Sequence, residues 1–273
     1  MGGDGLTVLE AKRVIITGAG QGLGRAYAVA AALAGAAVVV GDIDAEAAEQ
    51  TVEAIRASGG RAVAVTGSVA EWAVAQQLTA RCVDEYGGVD GLVANAAIMR
   101  NADPWDDTEE DLRAVAEVNV LGVQFTARHA MRAMVESGRG GSVVTVVSGA
   151  RDGIAGMSAY GASKGAVAAM TANWALAGRA HGIRVNAISP LGLTRMSQAD
   201  HRSDRPPMPD PSRVAPLVTA LLSDSSAPLT GAVLRFDGTA LGTYGSSLRT
   251  VATSSTGWRA EDLAAALVEE AAQ

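Results

Sequence analysis

The sequence predicts a single α/β domain with a doubly wound Rossmann fold, in which a seven-stranded, mostly parallel sheet carries helices on both faces. Short runs rich in valine and isoleucine alternate with longer alanine-rich helical patterns, which is the order of successive βαβ units. The strand runs are apolar throughout, as strands buried on both faces are. The 273 residues are enough for one such domain with a substantial core.

The elements follow one another in a regular order. Strands are expected at residues 12–17, 36–41, 61–66, 89–94, 142–147, 183–189 and 231–236. Helices are expected at residues 23–33, 45–57, 69–86, 109–135, 160–180 and 212–222. We expect residues 1–240 to form the Rossmann domain and residues 241–273 to form an extension with a short helix, packed on the same domain. Residues 191–212, rich in proline, aspartate and serine, are the predicted substrate lid.

Composition and charge exclude several classes of partner. A net charge of -7 and a sequence pI near 5.0 argue against binding to nucleic acid or an anionic membrane. The N-terminus has no apolar segment of a secretory signal, so a cytoplasmic protein is expected. The single Cys82 cannot form an intramolecular disulfide and is predicted to be a packed thiol. The three histidines lack metal-ligand spacing, so no metal site is expected.

A glycine-rich loop joins the first strand to the first helix. Residues 17–24 read TGAGQGLG, a pattern that differs from a strict G-x-G-x-x-G. Glycines allow the backbone to approach a pyrophosphate closely, and the first amides of the following helix point at the anion. At the end of the second strand, Asp42 can accept hydrogen bonds from ribose hydroxyls and would repel a 2′-phosphate. The sequence therefore predicts NAD rather than NADP, and Arg13 and Arg25 are the residues that could reverse this preference.

A tyrosine and a lysine four residues apart begin the predicted helix at 160–180. This spacing places Tyr160 and Lys164 on one helix face, where a neighbouring cation favours the phenolate. Ser148 follows the strand at 142–147, so its hydroxyl is expected at the carboxyl edge of the sheet, where doubly wound folds bind ligands. These groups predict a proton-transfer site for the interconversion of an alcohol and a carbonyl compound.

Taken together in this order, the glycine loop, residues 95–97, Asn119, Ser148 and residues 160–164 resemble the motifs of the short-chain dehydrogenase/reductase superfamily. The resemblance covers roughly residues 10–240. It implies that Ser148 orients the substrate oxygen, Tyr160 is the general acid/base, Lys164 lowers its pKa and binds the nicotinamide ribose, and Asn119 supports a proton-relay water. The cofactor contacts that it implies are Gly18, Gln21, Gly22, Leu23, Gly24, Asp42, Ile43, Ser68, Val69, Asn95, Ala96, Ala97, Tyr160, Lys164, Pro190, Leu193 and Thr194.

The chain departs from the family pattern near the cofactor. Ser68 stands where an aspartate is common, and residues 94–97 replace Asn-Asn-Ala-Gly. Leu191 replaces the glycine that commonly follows Pro190, which places a bulky side chain near the expected nicotinamide pocket. None of these departures removes a catalytic residue.

The favoured hypothesis is an NAD(H)-dependent oxidoreductase that interconverts a secondary alcohol and a ketone. The alternatives are a 3-hydroxyacyl thioester or cis-dihydrodiol dehydrogenase of the same family and, from another class, a non-catalytic dinucleotide-binding regulator. The resemblance also implies a homotetramer or homodimer, formed through the long helices that begin near Glu109 and Tyr160.

Overall fold

Among the residues that the structure describes, the sheet has eight strands, seven of them parallel. The structure is a computed structural model that describes residues 7–198 and 208–245. The strands are β1 (Arg13–Thr17), β2 (Ala37–Asp42), β3 (Arg61–Thr66), β4 (Gly91–Ala94), β5 (Gly141–Val146), β6 (Ile183–Pro190), β7 (Val233–Phe236) and β8 (Leu241–Thr243). Their order across the sheet is β3-β2-β1-β4-β5-β6-β7-β8, and β8 alone of these runs antiparallel to its neighbour.

Helices connect the strands and begin or end where local chemistry dictates. The α-helices of the described residues are α1 (Gly22–Leu33), α2 (Ala45–Ala57), α3 (Trp72–Tyr86), α4 (Glu109–Ala116), α5 (Gly122–Ser137), α6 (Ser158–Gly178), α7 (Arg195–Gln198) and α8 (Ala215–Leu222). Asp44 caps α2 and Thr108 caps α4, each by accepting a hydrogen bond from a first-turn amide. Gly87 and Gly138 end α3 and α5 in the left-handed conformation.

Two hydrophobic layers cover the two faces of the sheet. Because side chains alternate along a strand, Ile16 of β1 packs in the layer with α1 and α8, whereas Ile15 packs in the layer with α3 and α5. Cys82 is fully buried in the second layer, and burial raises the pKa of its thiol to about 12. This is the packed thiol that the sequence predicts.

The predicted fold class is confirmed, with two corrections. All seven predicted strands are present, but the sheet has an eighth, Leu241–Thr243, because three exposed residues pair with β7 without showing any apolar alternation in the sequence. The helix predicted over 109–135 is interrupted by a π-helical segment, Glu117–Leu121, between α4 and α5. Helical periodicity does not reveal one extra residue in a turn.

Some predictions fall on residues that the structure does not describe. One compact unit ends at Thr243, and the second begins at Tyr244. The predicted C-terminal helix and residues 199–207 of the predicted lid lie outside the described residues. Within residues 7–198 and 208–245, no helix is long and apolar enough to cross a membrane, and no group of histidine, cysteine or acidic residues is arranged to hold a metal ion.

Candidate active site

The strand order places a crevice at the carboxyl ends of β1 and β4. The chain leaves β1 toward β2 on one side and reaches β4 on the other, which makes this the point where doubly wound folds bind ligands. A cavity of about 360 Å³ lies there. Its lining comprises Gly18, Gln21, Gly22, Leu23, Gly24, Asp42, Ile43, Gly67, Ser68, Val69, Asn95, Ala96, Ala97, Ile98, Val118, Val146, Tyr160, Lys164, Thr194 and Met196.

The glycine loop is shaped by close backbone contacts. Gly18 has a φ of +62°, which favours glycine, and it lies against Ala96. A Cβ at Gly24 would lie 1.9 Å from the carbonyl oxygen of Gly18, so no larger residue fits without a shift of the backbone. Helix α1 begins at Gly22 with no side-chain cap and with no acidic residue in its first turn. Its first amides and the positive end of its dipole therefore suit an anion in the cavity.

Two polar side chains hold the loop against β4. The Thr17 hydroxyl oxygen accepts hydrogen bonds from the amides of Asn95 at 3.0 Å and Ala96 at 3.1 Å. The Asn95 side-chain amide donates to the carbonyl oxygens of Thr17 at 3.0 Å and Gly18 at 3.1 Å. Asn95 was expected to contact a cofactor; it lines the cavity, and its hydrogen bonds also fix the loop.

Asp42 lies at the end of β2 beside the same loop. One carboxylate oxygen accepts from the amide of Gly20 at 2.7 Å, and the other accepts from the amide of Asp44 at 3.0 Å. Each oxygen keeps a further lone pair for a ligand hydroxyl. Arg13 lies at the opposite end of β1 in an ion pair with Asp90, and Arg25 is not part of the cavity lining. The lining that the structure describes thus places a carboxylate, and no arginine, at this point.

Tyr160 and Lys164 meet in the first half of α6. The Lys164 ammonium donates to the carbonyl oxygen of Val146 at 3.0 Å and lies 5.5 Å from the centroid of the Tyr160 ring. Lys164 is only 1% exposed, and this burial lowers the pKa of its ammonium to about 8. Positive charge is therefore available at neutral pH, beside the phenol.

Burial dominates the acidity of the tyrosine. Removal of the phenol from water raises the pKa of Tyr160 to about 12, and its hydrogen bond with Ser148 acts in the opposite direction. The family resemblance implied that Lys164 lowers this pKa. The surroundings of Tyr160 in the protein instead favour the protonated phenol, because desolvation of the phenolate outweighs the groups that stabilise it.

Ser148 follows β5 and begins a short 3-10 segment, Gly149–Asp152. Its hydroxyl oxygen accepts from the amide of Ala150 at 3.2 Å and is the hydrogen-bond partner of Tyr160. The three side chains predicted for proton transfer are therefore brought together, although 12 residues separate Ser148 from Tyr160 in the sequence.

Asn119 lies in the π-helical segment and is fully buried. Its side chain accepts from the amide of Ile98 at 2.8 Å and donates to the carbonyl oxygen of the same residue at 2.8 Å. It also donates at 3.1 Å to the hydroxyl of Ser163, which in turn donates to the carbonyl oxygen of Tyr160 at 2.7 Å. Asn119 therefore connects the segment after β4 to the helix that carries Tyr160, and it does not line the cavity. π-Helical turns occur frequently at functional sites.

Most of the predicted cofactor contacts line the cavity, and a few do not. Pro190 and Leu193 are absent from the lining; the Leu193 amide donates to the carbonyl oxygen of Pro209 at 2.8 Å, and the side chain is 43% exposed. Leu191, predicted to crowd the nicotinamide pocket, is also absent from the described lining. The lining residues that sequence reasoning missed are Gly67, Ile98, Val118, Val146 and Met196. Gly67, Ile98 and Val118 are each next to a predicted site residue in the sequence, which could have indicated that they line the cavity. Val146 and Met196 belong to no motif.

Comparisons with known proteins agree with this geometry. Residues 12–205 match the family described as short chain dehydrogenase. The chain is 36% identical over 241 residues to a cis-4-hydroxycyclohexanecarboxylate dehydrogenase of Sinomonas cyclohexanicum, covering 84% of this chain and 96% of that protein. It is 34% identical over 247 residues to an L-rhamnose 1-dehydrogenase (NAD(P)(+)) of a Sphingomonas species, covering 85% and 97%.

A solved structure gives the same result for the fold. The crystal structure of a short chain dehydrogenase from Mycobacterium avium superposes with a TM-score of 0.86 at 32% identity and covers 96% of this chain and 95% of that one. The fold and the site define a dinucleotide-binding oxidoreductase. The chain belongs to the short-chain dehydrogenase/reductase family, whose members use NAD or NADP.

Proposed function

We propose that this protein is an NAD(H)-dependent oxidoreductase that interconverts a secondary alcohol and a ketone, with Tyr160 as the general acid/base. The observation that carries the proposal is the convergence of Ser148, Tyr160 and Lys164 beside the glycine-loop cavity. A protein that only bound a dinucleotide would not need a buried phenol in contact with a serine hydroxyl and a buried ammonium.

The residues of the cavity fit a nicotinamide dinucleotide. The uncapped amino end of α1 suits the pyrophosphate, and Asp42 suits the adenosine ribose. The ammonium of Lys164 would donate to the second ribose. Thr194, whose methyl group lies 3.2 Å from the position of a Cβ at Gly22, would flank the cofactor beside the glycine loop. Such a cofactor supplies the hydride donor or acceptor.

Side chains of the protein transfer the proton to and from the substrate oxygen. The hydroxyls of Ser148 and Tyr160, already hydrogen-bonded to each other, can both contact one substrate oxygen. Because burial keeps Tyr160 protonated at neutral pH, it can donate its proton to a carbonyl oxygen during reduction. In oxidation the phenolate form of Tyr160 accepts the alcohol proton and becomes a phenol, and the charge of Lys164 stabilises the phenolate before this transfer.

Asp42 supports a preference for NAD over NADP. A 2′-phosphate on the adenosine ribose would meet this carboxylate without an arginine in the described lining to offset it. Exchange of Asp42 for alanine together with Ile43→Arg is expected to shift the ratio of NADH to NADPH affinity toward NADPH by at least tenfold. The control is Asp44→Ser, which removes a neighbouring charge but keeps an oxygen to cap α2.

We also propose that the protein is a homodimer or homotetramer. A crevice on the outer surface of α5 and α6 is lined by Met131, Val135 and Trp174 together with Arg128 and Arg132. An apolar patch with a polar rim is typical of an interface. Light scattering of the full chain tests this, and a single monomeric mass would refute it.

The first experiment is a titration of the purified protein with NADH and with NADPH, followed by turnover assays on alcohols and ketones at the nicotinamide absorbance band. Tyr160→Phe removes only the phenolic oxygen, so turnover is expected to fall at least 1000-fold while NADH binding remains within a few-fold. Binding without turnover by the wild type would favour the non-catalytic alternative. Absence of NADH and NADPH binding would refute the proposal.

A further inference from the structure

Apolar side chains pack with Tyr160 at the carboxyl edge of the sheet. Met157 is buried against Tyr160, and Met99, Ile154 and Met196 pack against this pair with part of their surface exposed. We call Met99, Ile154, Met157 and Met196 the methionine wall. They follow β4, β5 and β6, so three separate segments converge on the carboxyl edge of the sheet. Met196 also lines the cavity, where Ile98 and Val118 extend the apolar surface.

Three charged side chains near this wall have partners among the described residues. Arg100 forms an ion pair with Asp111 at 2.8 Å, and Arg151 forms one with its neighbour Asp152 at 3.2 Å. The ammonium of Lys164 donates to the backbone carbonyl of Val146. In the part of the chain that the structure describes, the methionine wall therefore offers hydrocarbon and thioether surface beside the hydroxyl of Tyr160.

Such a wall discriminates strongly between substrates. A hydroxyl that is moved from water against it would lose its hydrogen bonds without replacement, which disfavours binding of a polyol. Hydrocarbon gains free energy from the same transfer, and flexible methionine side chains adapt to rings and chains of different shape.

We propose that the site selects secondary alcohols and ketones with hydrocarbon substituents, either alicyclic or alkyl, and rejects polyols and sugars. This inference rests on the proposed alcohol–ketone chemistry and adds the substrate class. It is carried by the composition of the methionine wall around Tyr160.

The test compares substrates that share a carbon skeleton and differ in their hydroxyl groups. Cyclohexanol is paired with myo-inositol and 2-hexanol with sorbitol, each oxidised by the full-length enzyme with saturating NAD. The value of kcat/KM is expected to be on the order of 100-fold higher for the hydrocarbon member of each pair. Equal or higher values for the polyols would overturn the inference.

A binding measurement separates this inference from the proposed function. Calorimetric titration of the protein loaded with NAD, which cannot reduce a ketone, is carried out with cyclohexanone and with L-sorbose whatever the turnover result. Binding of cyclohexanone alone, without turnover, would support the selectivity of the wall while refuting the catalytic proposal. Binding of L-sorbose in preference, or of neither compound, would overturn the inference.

Variants of the methionine wall test whether these residues cause the substrate selectivity. Met157→Gln and the less buried Met99→Gln keep side-chain length but add an amide, so each is expected to reduce the cyclohexanol-to-inositol ratio about tenfold with little change in NADH affinity. The control is Leu33→Gln, which adds an amide at a site 64% exposed at the far end of α1. A ratio unchanged in both methionine variants would overturn the inference, and Met99→Gln keeps the test valid if Met157→Gln does not fold.

Discussion

The buried ammonium of Lys164 should make the stability of this protein depend on pH in a defined way. Burial lowers the pKa of Lys164 from an ordinary value of 10.5 to about 8. Between these two values the unfolded chain binds the proton and the folded protein does not, so the free energy of unfolding rises with pH across this window. From pH 7 to pH 10 the contribution of this one group amounts to about 2 to 3 kcal/mol.

The perturbation is Lys164→Met, which keeps an unbranched side chain and removes the titration. Urea unfolding of the wild type and the variant is measured at intervals from pH 7 to pH 10. The stability of the wild type relative to the variant is expected to rise by about 2 to 3 kcal/mol over this range. A difference that stays constant with pH would refute the burial argument, because it would mean that Lys164 titrates near its ordinary pKa.

The chain provides an internal control for this measurement. Its only two lysines are Lys12 and Lys164, so selective isotope labelling of lysine gives two side-chain signals by NMR. Lys12 lies near the surface in an ion pair with Asp224. The Lys164 signal is expected to titrate with a midpoint near pH 8. A midpoint near the ordinary lysine value of 10.5 would contradict the assignment of a desolvated ammonium.

Three further predictions follow from single contacts. Gly24→Ala places a methyl group against a backbone carbonyl oxygen, so it is expected to lower the free energy of unfolding by about 1 to 3 kcal/mol and to weaken NADH binding. Gly165→Ala has open space at its Cβ and is expected to raise the free energy of unfolding by about 0.5 to 1 kcal/mol. Thermal unfolding checks the stability of both variants, and calorimetric titration checks NADH binding. Asn119→Ala leaves buried backbone groups unpaired, so urea unfolding is expected to show a loss of about 1 to 3 kcal/mol with reduced turnover, and full activity would contradict its positioning role. Asp90→Asn breaks the largely buried ion pair with Arg13 and is expected to lower the free energy of unfolding by about a few kcal/mol. NADH affinity is expected to stay unchanged, because both residues lie at the amino ends of β1 and β4, away from the cavity.

The fold and the site residues at strand ends were predictable because they depend on local sequence patterns. Apolar strand runs, helical periodicity and the glycine loop each report on neighbours in sequence, and parallel topology then places strand ends such as Asp42 and Ser148 at one edge of the sheet. The relation between Tyr160 and Lys164 was predictable for the same reason, because four residues make one helical turn.

Tertiary structure alone decided the properties that depend on what surrounds a group. The sequence favoured a lowered pKa for Tyr160 because it shows Lys164 nearby, but it does not show how little water reaches the phenol, and burial reverses the direction. Asn119 belongs to the motifs that the sequence shows, but its hydrogen-bond partner Ile98 is 21 residues away, and helical periodicity does not reveal the π-helical segment in which Asn119 lies.

The methionine wall shows the same division. Met99, Ile154, Met157 and Met196 follow three different strands and belong to no motif, so the sequence alone gives no reason to group them. The sequence by itself determined the fold class, the glycine loop and the shared helix face of Tyr160 and Lys164, since these depend on local spacing. The tertiary structure decided desolvation, the ion pairing of Arg13 and the apolar surface around Tyr160, because each is a sum over atoms from segments far apart in the chain.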